Sequence, residues 1–168
     1  MLRFFEFLEE GNKLYKNIEQ PLSRGKSVGT VSASRYDKSS KENKENDRSL
    51  KGDLARLRKK GAIGGYKSAT GRYQDTEKKA GDVDKEKSYV VRQGEGKHSK
   101  RFGKVLDALG KRYGQQSTMH IKPNKEAEYH YMSDKKVDKQ GKVVYNKPLS
   151  SGGGDTSFRG KSSFTTKK

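Results

Sequence analysis

The chain has 168 residues, a net charge of +18 from 39 Lys and Arg against 21 Asp and Glu, and only 28% hydrophobic residues. Even with its 19 Gly added, that apolar share falls below the roughly 45–50% of ordinary globular chains, so a core built from about half the chain between polar flanks is expected. No run of about 18 apolar residues exists to span a membrane. The absence of Cys excludes disulfides, thiolate metal sites and a Cys nucleophile, and the excess of Lys points to a polyanionic partner.

Residues 1–10 hold three Phe and two Leu, with one Arg against three Glu, unlike everything after them. Residues 11–27 are polar, carry Pro21 and Gly25, and read as a linker. Residues 28–34 are small and β-branched, as in a short strand. Ser39 followed by Glu42 makes a capping box that opens a highly charged helix. Leu50, Leu54 and Leu57 give that helix one apolar stripe, and Gly61 stops it. Residues 62–75, with Gly64, Gly65 and Gly71, read as a hairpin with a glycine bend, and 76–86 as a charged loop. Residues 87–92 carry the best strand signal.

Ser99 is placed to cap a second helix whose apolar face is Phe102, Val105, Leu106, Leu109 and Tyr113, with Gly114 as its C-terminal stop. Residues 116–121 and 127–132 read as strands around Lys122-Pro123-Asn124. From 133 onward the apolar pattern thins to a flexible basic tail, in which residues 142–145 offer at most an edge strand. The expected fold class is α+β: a small, mainly antiparallel sheet with two helices on one face, spanning 48–132 and flanked by flexible basic tails. Residues 11–47 then form a linker, a short strand and the start of the charged helix.

Gly61 to Ser68 superficially resembles a phosphate loop. That loop needs Gly directly before Lys67, where Tyr66 stands, so a glycine-rich hairpin is the better reading. His120 and His130 on neighbouring strands could begin a two-His metal site. Only Glu126, Glu128 and Asp134 lie nearby in sequence, without ligand spacing, and the histidines, His98 included, read as exposed. No metal, no cofactor and no catalytic residue is assigned, and the chain reads as not an enzyme. Tyr66, Tyr73, Tyr89, Tyr129 and Tyr131 fall in predicted strands beside basic residues. They suit completion of a Leu-poor core better than base stacking. Contacts to nucleic acid are expected from Lys and Arg on phosphates, at Lys100, Arg101, Lys104, Lys111, Arg112, Lys135, Lys136, Lys167 and Lys168.

Phe4, Phe7 and Leu8 line one face of a short N-terminal helix. The segment either docks on its own domain or fits a groove in another protein. Residues 1–11 resemble the capsid-targeting leader of internal head proteins of T-even-like tailed phages: an aromatic at Phe4, the core Glu6-Phe7-Leu8-Glu9-Glu10, then a small residue, Gly11. The resemblance implies cleavage by a prohead protease after Glu10, with Phe4, Phe7, Leu8, Glu10 and Gly11 as targeting and cleavage residues. Residues 50–131 are also similar to a small family of unknown function in phages and bacteria. The likeness is carried by Leu50, Leu54 and Leu57, by Gly65-Tyr66, by residues 86–91 and by the run from Phe102 to Ser117.

The function expected on these grounds is that of a phage internal head protein, located inside the virion head and in the host cytoplasm during assembly. It is packaged with double-stranded DNA through non-specific phosphate contacts. Its expected partners are the DNA, the prohead scaffold core and the prohead protease, with ejection and a host defence protein as a further expectation and no membrane. The alternatives are a cytosolic nucleic-acid-binding accessory protein, ribosome-associated for example, and an enzyme with a dispersed site. A pocket gathering His120, His130 and carboxylates would favour the last.

Overall fold

The computed structural model describes residues 13–73, 84–146, 154–158 and 162–167. Its strands are β1 (Val28–Ser32), β2 (Ile63–Tyr73), β3 (Asp84–Gln93), β4 (Ser117–Ile121), β5 (Glu126–Tyr131), β6 (Val137–Tyr145), β7 (Gly154–Phe158) and β8 (Ser162–Lys167). They close into a barrel in the order β1-β3-β2-β7-β8-β6-β5-β4, with β4 returning to pair with β1. Every pairing is antiparallel.

The closed barrel replaces the expected small sheet with two helices on one face. The described residues of the expected basic tail supply three strands, at 137–145, 154–158 and 162–167, one of which takes in the edge strand expected at 142–145, and Phe158 and Phe164 are 1% and 0% exposed. An open sheet would leave backbone donors and acceptors unpaired along two edges, and closure pairs them. Alternation sorts the side chains. Val90 joins Val28, Ala69, Ile121, Val143 and the two Phe rings inside the barrel, whereas its neighbours Tyr89 and Val91 face outward.

Residues read as a linker instead form α1, a π-helical turn, Tyr15–Glu19, that runs into an α-helical turn, Gln20–Ser23. Its Leu14, Ile18 and Leu22 recur every four residues and plug one end of the barrel. Arg92 donates to Asn17 at 2.7 Å and Lys125 pairs with Glu19 at 3.2 Å, which fastens the plug to β3 and to the β4–β5 turn.

The two expected helices exist, and both lie on the outer wall. α2 (Ser40–Lys59) opens with the expected capping box: Ser39 Oγ accepts from the Glu42 amide at 3.2 Å, and Glu42 Oε2 accepts from the Ser39 amide at 2.9 Å. A 3₁₀ turn, Lys97–Arg101, leads into α3 (Phe102–Arg112). Ser99 does not cap α3; its hydroxyl donates to the Gly96 carbonyl at 2.7 Å. Gly114, at φ 62°, lets the Gln115 amide reach back to the Gly110 carbonyl at 2.9 Å, which satisfies the last turn. Leu50, Leu54, Leu106 and Leu109 pack with Tyr89 and Val91 between the helices and the wall.

The glycines of 62–75 do not bend a hairpin. β2 is one eleven-residue strand with a bulge between Ile63 and Gly65, and it pairs with β3 through Tyr73 opposite Asp84. Residues 84–86, expected in a loop, therefore belong to β3.

Candidate functional site

Strand register assembles a polar mouth at the barrel end away from α1. The Asn17 contact holds Arg92 at one end of β3, and Glu86 lies six residues, about 20 Å, along the strand. Gly71 is directly opposite Glu86 and Ala69 opposite Ser88. A Cβ at Gly71 would stand 3.2 Å from both Glu86 Cγ and Ser88 Oγ, so the glycine leaves room for the carboxylate to lie across the strand pair.

Glu86 is exposed at its surface, yet much protein surrounds its carboxyl. That desolvation, only partly offset by a hydrogen bond from Ser88, raises its pKa above the usual Glu value. The phenol of Tyr129 is also raised, first by burial and then by the charges of Tyr131, Glu86 and Tyr73. The mouth thus offers one carboxylate and three phenol rings, a setting for a compact cation able to meet both negative charge and aromatic faces.

A second cluster lies on the outer wall, beneath α3. His120 and His130 stack with ring centroids 3.7 Å apart and planes 9° from parallel. Asp107 of α3 reaches both: Oδ1 is 2.9 Å from His120 Nε2 and Oδ2 is 3.3 Å from His130 Nδ1. Thr118 donates to Asp107 Oδ1 at 2.9 Å, and Glu128 Oε2 is 3.5 Å from His130 Nε2. Burial, then the neighbouring His130, pushes the His120 pKa down to about 4 against the pull of Asp107, so the ring is neutral at pH 7. The expectation of exposed histidines is corrected for His120, which is 8% exposed, and holds for His98.

The expected phosphate-contact residues lie on separate elements. Lys100, Arg101 and Lys104 sit at the start of α3. Lys111 and Arg112, at its end, line an open cleft with Arg35 and Lys38. Lys135 and Lys136 occupy the β5–β6 turn, and Lys167 is in β8. Arg112 lies 3.3 Å from Asp53, so part of its charge is committed within the fold. Lys168 and the leader residues Phe4, Phe7, Leu8, Glu10 and Gly11 fall outside the described residues.

Sequence reasoning missed Glu86 by placing it in a loop. The signal that could have found it is the alternation of Glu86, Ser88 and Val90 on one strand face. It missed Asp107 because ligands were sought among sequence neighbours of the strands. Gly103, Asp107 and Gly110 form one helix face, and the two glycines mark where α3 lies close to β4. A Cβ at Gly103 would be 3.4 Å from the His120 ring, and one at Gly110 would be 2.7 Å from Thr118 Cγ2.

The described residues thus form a closed antiparallel barrel with Glu86 on an inward-facing strand position and His120, His130 and Asp107 on its outer wall. The chain belongs to the S-adenosylmethionine lyase family, whose model matches residues 29–166, a span that takes in the whole barrel apart from Val28 and Lys167 and includes every residue of both clusters. A solved structure of a phage SAM lyase in complex with S-methyl-5′-thioadenosine is 16% identical, with a TM-score of 0.35, covering 68% of this chain and 88% of that one. No curated protein matches the chain.

Family membership overturns the reading as a non-enzymatic internal head protein that neutralises DNA, and with it the nucleic-acid-binding alternative. The family is one of S-adenosylmethionine lyases, so double-stranded DNA, the prohead core and the prohead protease are withdrawn as expected partners. The coarse part of the resemblance, a small family domain in the body of the chain, stands.

Proposed function

We propose that this protein cleaves S-adenosylmethionine, releasing S-methyl-5′-thioadenosine, at the barrel mouth around Glu86. The observation that carries the reading is the family match over residues 29–166. The chemistry of the mouth agrees with it. The substrate carries two cationic groups, a sulfonium and an α-ammonium. Glu86 supplies the anion for one, and Tyr73, Tyr129 and Tyr131 supply electron-rich ring faces.

The sulfonium is its own leaving group. As the substrate's own carboxylate oxygen bonds to the γ-carbon, the bond from sulfur to that carbon breaks, its electron pair returns to sulfur, the positive charge is quenched and the amino-acid part leaves as a lactone. No proton has to be delivered to the departing thioether. The protein's task is to hold the flexible substrate in a reactive conformation and to limit water at the carbon. Glu86, braced by Ser88 and given space by Gly71, is the group suited to fix one end of the substrate.

The test is chromatography of S-adenosylmethionine incubated with the purified full-length protein. The expected result is loss of substrate matched by appearance of S-methyl-5′-thioadenosine. Glu86→Gln should lower kcat/KM by about 10–100-fold, the cost of one charge-assisted contact. Unchanged substrate with the folded wild-type protein would overturn the proposal, and full activity of Glu86→Gln would remove the mouth as its seat.

A further inference from the structure

We propose that Asp107, His120 and His130 form a binding site for a divalent transition metal, with zinc as the ion their donor set suits best, clamping α3 to the β4–β5 wall. This site is separate from the mouth and does not depend on the lyase reading.

The donors come from three elements: one carboxylate from α3 and one imidazole each from β4 and β5. Their ligating atoms all lie within 4.8 Å of one another. A tetrahedral zinc with bonds of about 2.0–2.1 Å needs its ligands about 3.3 Å apart. The carboxylate-to-imidazole distances, 2.9 Å from Oδ1 to His120 and 3.3 Å from Oδ2 to His130, lie near that spacing but run to different oxygens, so the carboxylate must turn to offer a single oxygen, and the edge between the two rings must close. Binding must also open the parallel stack, because a metal has to lie near the plane of each ring it coordinates. Two imidazoles and a carboxylate leave a fourth position for water, a donor set typical of zinc and unsuited to calcium or magnesium.

The surroundings are those of a supported site. Glu128 faces the other nitrogen of His130, and Thr118 holds the Asp107 carboxylate in place, the kind of outer partners that orient metal ligands. Glu128 is itself fixed by Lys122 at 2.6 Å. The backbone of α3 at Gly103 lies beside the His120 ring, where a Cβ would be 3.4 Å from it. The ion would take the place of the proton that His120 Nε2 now shares with Asp107 and Thr118.

The test is titration of chelator-treated full-length protein with Zn²⁺ and, separately, with Co²⁺ read by its visible d–d absorption. The expected outcome is one equivalent per chain, intense tetrahedral-type Co²⁺ bands, and a thermal midpoint raised by about 5–10 °C at a hundredfold excess of zinc over its Kd. His130→Ala, at a partly exposed position, should weaken binding by more than the roughly 10–100-fold cost of losing an outer partner. His98→Ala should bind like wild type. Absence of the Co²⁺ bands in the folded wild-type protein would overturn the proposal without recourse to any variant. So would stoichiometric binding that survives His130→Ala or is lost in His98→Ala.

Discussion

Replacing Ile18 by Ala tests whether α1 is an integral plug of the barrel. Ile18 is 0% exposed and packs in the interior cluster, although its sequence surroundings are polar. The change removes three carbons. At about 0.8 kcal/mol each, the transfer loss is about 2.4 kcal/mol. A cavity that the closed barrel cannot collapse adds to this, so the total should be about 3–4 kcal/mol, inside the usual range for burial of this size. That is a large part of the 5–15 kcal/mol typical of a domain. Urea titration followed by far-UV circular dichroism should show the midpoint lowered by about 1.5 M at a slope near 2 kcal/mol/M, with the slope unchanged. Tyr15→Ala, in the same helix but 53% exposed, is the control and should stay within about 0.5 kcal/mol. A midpoint shift below about 0.3 M for Ile18→Ala would refute the plug and restore residues 13–23 to a linker.

Gly29→Ala should destabilise by about 1–3 kcal/mol, because the added Cβ would stand 2.8 Å from the Met119 carbonyl and press into Leu106, forcing α3 off β1; thermal unfolding measures it. Asp53→Ala should cost about 2–3 kcal/mol in denaturant titration, since Tyr113 donates to the buried carboxylate at 2.7 Å and would be left unpaired. Burial acts to raise the Asp53 pKa, but the Tyr113 and Arg56 hydrogen bonds and the charge of Arg112 outweigh it, and the net shift is downward. Its contribution is therefore present above the ordinary Asp range and lost as pH falls through the lowered value, so the acid limb of wild-type stability should flatten in Asp53→Ala. For Glu86 the shift is upward, so cleavage that uses the carboxylate anion should fall on acidification at a pH above the ordinary Glu range. A kcat/KM profile that stays flat down to that ordinary range would contradict the role.

The helices were legible because their signals are local. Ser39 and Glu42 cap α2 within four residues of chain, and the Leu50, Leu54 and Leu57 stripe needs no knowledge of what it packs against. The same holds for α3, where Phe102, Leu106 and Leu109 repeat on one face and Gly114 ends it. The short strands at 28–32, 117–121 and 126–131 also declared themselves by composition or alternation. β7 and β8 did not, and β6 did so only in its 142–145 run, since their inward positions mix Phe158, Phe164 and Val143 with Thr and Gly, and their outward positions are polar. A window of a few residues there looks like a tail. The plug helix was hidden in the same way, its three apolar residues spaced four apart in an otherwise polar stretch.

Composition and local pattern alone determined that the chain has no thiol chemistry, that two amphipathic helices form, and that several strands pair antiparallel. Tertiary structure decided that the sheet closes, and closure decided the chemistry. Glu86 and Tyr129 sit on inward positions of one interior only because β3 and β5 are strands of the same closed barrel, and Asp107 meets His120 and His130 only because α3 packs against the wall. Such meetings join residues tens of positions apart, where no periodicity links them. What brings them together is the gain from pairing every strand edge and burying scattered apolar side chains at once, a free energy that belongs to the whole barrel and to no segment of it.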